Sequence, residues 1–416
     1  MSEQREARHW NFDGDFGFSL LTAVDSVADA AGDADEARAL RDDTRLLLGS
    51  SLPDDDLRAV WLAASGGRRD PGADPRSRLR EAVERCEEAI AADTFPDHGT
   101  APTVAVDENA MRKAVLAELP TVHAPALARV VAEVDADLGF RLFLRVLKAS
   151  AVPVPSADYD RYRTIADGFG YPARLVPEGL AVRWPRFDDP SVRRRFDFDF
   201  GFSAVTGRFH ADLWQHAYSV EEGVRGVAAD QVGLVPGAPA YALLQDASRL
   251  LHSPLSDDTL TTLWQVTTCR GHDLDEEGGV RRWLRRITDI CGATLRRTDP
   301  GFTAGDPVPA AMDLRGPVLR ELREMAQELT DAVHDSPWYG ADTSPWFALS
   351  GRTVPALEQV IDKIDPDLGF RLLLRTAHAY SVRLTDERLA RFTALGDAFG
   401  HSRHHLASLT GSLRED

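Results

Sequence analysis

Several residue types are scarce in this chain, and each scarcity excludes something. Among 416 residues there are three cysteines, Cys86, Cys269 and Cys291, far apart and without a Cys-x-x-Cys pair. An odd, scattered set argues against a disulfide framework or a structural zinc site and for a reducing, cytoplasmic setting. No apolar run approaches the ~18–20 residues of a spanning helix, so no membrane partner is expected. The opening MSEQREARHW is polar and lacks the basic-then-apolar order of a secretory signal. Walker A, GxGxxG, HExxH and GxSxG strings are all missing, so no catalytic residue can be assigned.

Positive charge is short as well. Lys and Arg total 48 against 66 Asp and Glu, a net charge of -18. Binding phosphates needs a basic face, so nucleic acid is not an expected partner. The basic stretch VRRWLRR at 280–286 reads equally well as the outer face of an amphipathic helix. Residues 1–60 hold 14 acids against 6 arginines. Such a field could attract a basic protein and speed its association, or serve solubility alone.

What the chain does contain is itself, twice. FDGDFGF from Phe12 matches FDFDFGF from Phe196 at an offset of 184. LLGSSLPDDDLRAVW at 47–61 matches LLHSPLSDDTLTTLW at 250–264, offset 203, and LREAVERC ending at Cys86 matches LRRITDIC ending at Cys291, offset 205. PALARVVAEVDADLGFRLFLR from Pro125 matches PALEQVIDKIDPDLGFRLLLR from Pro355, offset 230. The order is kept and the offset only grows, which is the mark of one unit copied in tandem. The expected organisation is a first helical repeat domain at 9–176, a connector at 177–192 with three prolines, and a second domain at 193–410. The second has insertions at about 203–249 and 292–354.

Apolar residues recur at helical spacing nearly throughout. Leu389, Phe392, Leu395 and Phe399 form one stripe behind a Thr385 cap, and Tyr159, Tyr162, Ile165 and Phe169 repeat it. Gly170 and Gly400 follow as helix-ending glycines. GLAVRWP is the only stretch with strand character. The expected fold is all-α: two halves packed together, each built from αα-hairpin-like units, because the first and last units of each half carry the same signature.

That signature, Asp-x-Asp-(Leu/Phe)-Gly-Phe, occurs four times, at Asp13 and Asp15, Asp135 and Asp137, Asp197 and Asp199, and Asp365 and Asp367. Helix capping explains it economically. In IDPDLGF, Asp365 is the cap, Pro366 sits at the first helical position, Asp367 meets the helix dipole, and Gly369 permits close helix approach. Helix starts are therefore expected near Asp13, Asp135, Asp197 and Asp365. The competing reading is a divalent metal held by converging carboxylate pairs for phosphoryl or hydrolytic chemistry. No distant Glu completes an EF-hand, so no cofactor is favoured, and these eight aspartates are the candidates if a metal is bound.

Other candidates are weaker. His401 and His405 are four apart, a zinc-compatible spacing, but an exposed, positively charged helix end explains them better. Tyr171 and Leu175 stand at their places in the first half. Cys86 and Cys291, at matching positions, read as small core residues. The second large insertion carries DSPWYGADTSPWFALSGR, and its aromatics Trp338, Tyr339, Trp346 and Phe347 are the candidate binding residues. The leading functional expectation is a non-catalytic acidic helical protein that binds another protein, as a neutralising, immunity-like or scaffold partner. The alternatives are a small-molecule binding or sensing protein with its pocket between the halves, and a metal-dependent enzyme using paired Asp-x-Asp carboxylates.

Overall fold

The computed structural model describes residues 4–7, 15–24, 26, 30, 34–92, 104–171, 175–210, 219–229, 231, 233–269, 272–275, 277–308, 310–334 and 344–410. The chain divides into two compact units, Met1–Trp184 and Pro185–Asp416, and the described residues of both are mostly helical. The fold is all-α.

In the first unit the helices are α1 (Gly17–Leu21), α2 (Ala34–Gly49), α3 (Asp54–Ala64), α4 (Pro75–Ala92), α5 (Glu108–Glu118), α6 (Pro125–Arg129), α7 (Ala136–Ser150) and α8 (Ser156–Gly168). In the second they are α9 (Gly201–Arg208), α10 (Val220–Ala228), α11 (Ala238–Leu251), α12 (Asp257–Thr267), α13 (Val280–Thr298), α14 (Arg315–Glu324), α15 (Ala326–His334), α16 (Ser344–Lys363), α17 (Pro366–Ala379), α18 (Asp386–Phe399) and α19 (Arg403–Thr410). Two short ladders accompany them. β1 (Gln4–Ala7) pairs antiparallel with β2 (Val104–Asp107), and β3 (Val154–Pro155) pairs in parallel with β4 (Val182–Arg183). The second ladder takes its β4 strand from the GLAVRWP stretch; the first has no sequence signal we recognise.

Local chemistry sets the helix starts. Three aspartates, Asp54, Asp55 and Asp56, fill the first turn of α3, and Ser256 caps α12 by accepting from the Thr259 amide. Thr385 caps α18 through the Arg388 amide, and Gly400 closes it at φ +74°. The stripe expected on α18 buries Phe392, Leu395 and Phe399, while α8 buries Tyr159, Tyr162 and Ile165.

In each unit one helix runs through the core. Nearly every side chain of α17 is buried, His378 being the exception, and α7 is buried on most of its surface. A helix apolar or satisfied all round belongs inside. Each enters beside the helix before it through a glycine. A Cβ on Gly139 would lie 2.3 Å from Val131, and one on Gly369 2.3 Å from Ile361. The expected close approach is there, in both units alike.

The four aspartate motifs divide into two kinds. Asp135 and Asp365 are N-caps as expected, accepting from Leu138 and from Asp367 and Leu368. The other two motifs correct the expectation. Helices α1 and α9 begin at Gly17 and Gly201, four residues beyond the expected starts; Asp13 itself lies outside the described residues. Both glycines are left-handed, with φ +60° and +67°. The cap comes from elsewhere: the Phe18 amide donates to Asp43 on α2, and the Phe202 amide to Asp246 on α11.

Candidate functional site

Asp43 and Asp246 lead to the polar centre of each unit. In the first, Asp43 accepts from Arg141 Nη1 at 2.5 Å and Nη2 at 2.8 Å. Arg141 Nε donates to the Tyr171 hydroxyl at 3.1 Å, and its guanidinium lies 4.5 Å from the Phe16 ring centroid. In the second, Arg371 donates to Asp246 at 2.8 and 2.9 Å, and lies 4.5 Å from the Phe200 ring. Arg371 is 0% exposed. A buried guanidinium is tolerable only when paired and hydrogen-bonded, and the two-pronged carboxylate does both. Gly17 and Gly201 make room for it, since a Cβ on either would fall about 2 Å from the carboxylate. Glycine is thus required there twice over, for backbone shape and for space.

Around this shared lock the units differ. The second adds two cations and an imidazole. Arg249 reaches Asp365 at 3.1 Å, Arg193 reaches Asp367 at 2.7 Å, and His401 Nε2 lies 2.5 Å from Asp367 Oδ1. Burial pushes the Asp367 carboxyl up, but Arg193, Arg371 and His401 outweigh it and hold the group well below the usual range. Asp365 moves the other way, raised by burial and by the neighbouring Asp367 charge. The first unit has Leu46 where the second has Arg249, and Tyr171 where it has His401. There Asp137 is 3.5 Å from Arg141, and burial raises it to about 6 against the pull of that arginine.

The histidines overturn another expectation. His401 and His405 are not an exposed helix end: they are 5% and 0% exposed, and His401 precedes α19 rather than sharing it with His405. Their rings meet edge to face at 4.9 Å. His405 Nδ1 contacts the Phe198 carbonyl at 3.1 Å, while its Nε2 is buried without a hydrogen-bond partner among the described residues. Burial, with the His401 charge beside it, depresses His405 to about 3. The side chain expected to face solvent became part of a core because Asp367, 34 residues away, supplies a carboxylate for it.

The remaining candidates are placed as follows. Asp15 accepts from Arg145 at 3.1 Å and Lys148 at 2.8 Å. Asp197 accepts from Ser402, and Asp199 from the Phe200 amide and the Ser203 hydroxyl. No group of three His, Cys, Asp or Glu side chains suited to a metal occurs among the described residues. Cys86 and Cys291 are core residues, both fully buried; burial pushes Cys86 up to about 11 and Cys291 upward too. Trp338 and Tyr339 lie outside the described residues, as do the side chains of Trp346 and Phe347 on α16. No helix of the described residues is long and apolar enough to cross a membrane.

Asp43, Arg141, Asp246, Arg371, Arg193 and Arg249 carry the polar centres, and none was singled out by motif. No protein-family model matches the chain, and neither the curated proteins nor the solved structures yield a match.

Proposed function

We propose that the chain is a non-catalytic, acidic helical protein, made of two tandemly duplicated units, that binds a basic protein partner in the cytoplasm as a neutralising or scaffold component. The observation that carries the reading is how the motif carboxylates are employed. Asp15, Asp135, Asp365 and Asp367 are each engaged by arginine, lysine or backbone N–H inside their own unit. Residues so employed hold helices together, and the excess acid left on the surface, within a net charge of -18, is what a partner would meet. The same pairing speaks for structure over a two-metal centre.

The duplication is supported by geometry as well as by sequence. The Asp–Arg pair, the left-handed glycine, the aromatic ring over the guanidinium and the glycine at the helix crossing recur at matching positions. Two independent inventions of so particular a set would be hard to account for.

The test is to recover a partner at low salt, rebuild the complex from two purified proteins and follow association against ionic strength. Saturable binding whose on-rate falls steeply with salt supports the reading. Saturable binding that is indifferent to salt removes the acidic surface from the argument. No complex from any rebuilt pair removes the proposal.

A second reading has one specific observation behind it. The second unit holds a pocket of about 270 Å³ lined by Arg186, Asp188, Tyr241, Gln245, Phe302 and Asp306, among others. Such a volume suits a small polar molecule resting on an aromatic floor. Thermal stabilisation by a metabolite, abolished by Tyr241→Ala, would favour it over the protein-binding reading.

A further inference from the structure

The segment after α13, part of the second large insertion, is tied down at both ends. The Gly301 amide donates to Asp299 Oδ1 at 3.0 Å, and the Phe302 amide to the Asp299 carbonyl at 2.9 Å. Further on, the Val308 amide donates to Gln245 at 2.7 Å, and Arg249 donates to the Val308 carbonyl at 2.5 Å. A loop fixed to α11 in this way closes one side of the pocket of about 270 Å³. Phe302 meets Phe187 edge to face at 5.7 Å, and Phe187 lies 5.5 Å from Tyr241, so the wall is aromatic. The first unit carries Arg38 and Asp42 at the places of Tyr241 and Gln245.

The charges in the pocket do not balance. Arg186 is the only cation among the described residues that line it, and its charge is already covered. It donates to both oxygens of Asp188, at 3.1 and 3.3 Å, and to Asp299 at 3.2 Å. Asp306, also in the lining and exposed, has no hydrogen bond or ion pair from its side chain among the described residues. The Tyr241 hydroxyl likewise bonds to none of them, and burial with the Asp188 charge raises it, so it stays neutral and free to accept. Three carboxylates thus stand against one guanidinium, beside aromatic rings and an unengaged hydroxyl. A planar cation suits all of these: its N–H groups reach carboxylate and hydroxyl oxygens while its face lies on a ring. A compact ammonium would answer the charge but not the rings.

On the protein-binding reading above, on which this rests, we propose that the pocket docks an arginine side chain of the basic partner. Asp306 receives the guanidinium, and Tyr241 and Phe302 offer it a ring face and a hydroxyl. Arginine is among the residues that anchor interfaces most often, and a socket that excludes water on its aromatic side strengthens the pairing. The diffuse acidic field then speeds the encounter, while this pocket fixes where the partner lands.

The native full chain is titrated by calorimetry with N-acetyl-L-arginine methylamide, with its citrulline analogue, which keeps the shape and loses the charge, and with free L-arginine. The blocked arginine is expected to bind about tenfold more tightly than the citrulline analogue. Asp306→Asn should remove most of that preference at an unchanged melting temperature, since this carboxylate has no partner to lose among the described residues. Equal binding of the arginine and citrulline probes overturns the proposal, as does a preference undiminished in Asp306→Asn. Free arginine binding far more tightly than the blocked form overturns it in favour of a metabolite site. A partner whose salt-sensitive binding is the same for the native chain and Asp306→Asn also overturns it, and leaves the protein-binding reading standing.

Discussion

Asp246 and Arg371, 125 residues apart in the chain, meet in the core of the second unit through two hydrogen bonds of 2.8 and 2.9 Å. The same carboxylate also receives the Phe202 amide at 2.9 Å. One side chain therefore neutralises a buried guanidinium and starts a helix. Asp43 performs both tasks in the first unit, for Arg141 and for Phe18.

Asp246→Ala should consequently be among the most damaging single changes. It leaves Arg371 charged, buried and without its main partner, at a cost of about 3–5 kcal/mol. Replacing both partners by apolar residues, Asp246→Leu with Arg371→Met, should cost less than the two single losses summed. Denaturant titration of the full chain checks this, with Asp43→Ala as the matched change in the first unit. Strict additivity of the two second-unit changes would show that the pair is not coupled.

Glycine substitutions separate backbone requirement from general intolerance. Gly201→Ala places a methyl 2.1 Å from Asp246 Oδ2 on a residue at φ +67°. It should destabilise by at least the ~1–2 kcal/mol of the left-handed conformation, because the carboxylate must move as well. Gly292→Ala, inside α13, has its nearest neighbour 3.5 Å away at the end of the flexible Arg296 side chain. There the change should be neutral or add roughly 0.5–1 kcal/mol. Equal effects at the two positions would remove the argument.

How far these features could be read in advance depends on sequence distance. Helical stripes, the Thr385 and Asp365 caps and the crossing glycine Gly369 are local, and their residues announce them. The Asp–Arg locks join residues 98 and 125 apart, so neither partner identifies the other. A signal was nevertheless available. Arg141 and Arg371 are charged residues inside the apolar runs GFRLFLR and GFRLLLR, where a lone exposed arginine would not fit. Aligning α2 on α11 leaves Asp43 and Asp246 as the one charged residue the two segments share. Reading FDGDFGF and FDFDFGF as caps failed because Gly17 and Gly201 are left-handed at the first helical position and the capping carboxylates come from Asp43 and Asp246. His401 misled for a similar reason: its carboxylate partner is on α17, outside any local window.

Divalent ions should leave the molecule's melting temperature unmoved. A native-state ligand at a hundred times its Kd adds about 2.7 kcal/mol, which a thermal melt detects easily. The described aspartates of the four motifs are engaged by protein groups, the strongest case being Asp367 with Arg193, Arg371 and His401. Chelator-treated protein should melt at the same midpoint with Mg²⁺, Mn²⁺, Ca²⁺ or Zn²⁺. A rise abolished by Asp365→Asn would restore the metal reading, since Asn still caps a helix but is a poorer ligand.

Acid should weaken the second unit through His405. Its folded value is depressed to about 3, below the ordinary 6.5, so the unfolded chain binds the proton first. Stability is thus fully present above pH 6.5 and is lost as pH falls from 6.5 toward 3, by up to about 1.4 kcal/mol per pH unit for that one proton. His210, lowered by burial, acts in the same direction. Asp365 and Asp199, both raised by burial, act in the opposite direction, as does Asp137 of the first unit, raised to about 6. These carboxyls are common to the native chain and a His405 variant, so the difference between the two slopes from pH 6.5 to 5 isolates the histidine. His405→Leu adopts the residue the first unit carries at this place, Leu175, which is buried there too. Its unfolding free energy should fall more gently over that interval, with the slope reduced by close to one proton. An unchanged slope would mean that His405 does not titrate as a buried neutral imidazole, and the burial argument for this cluster would fail with it.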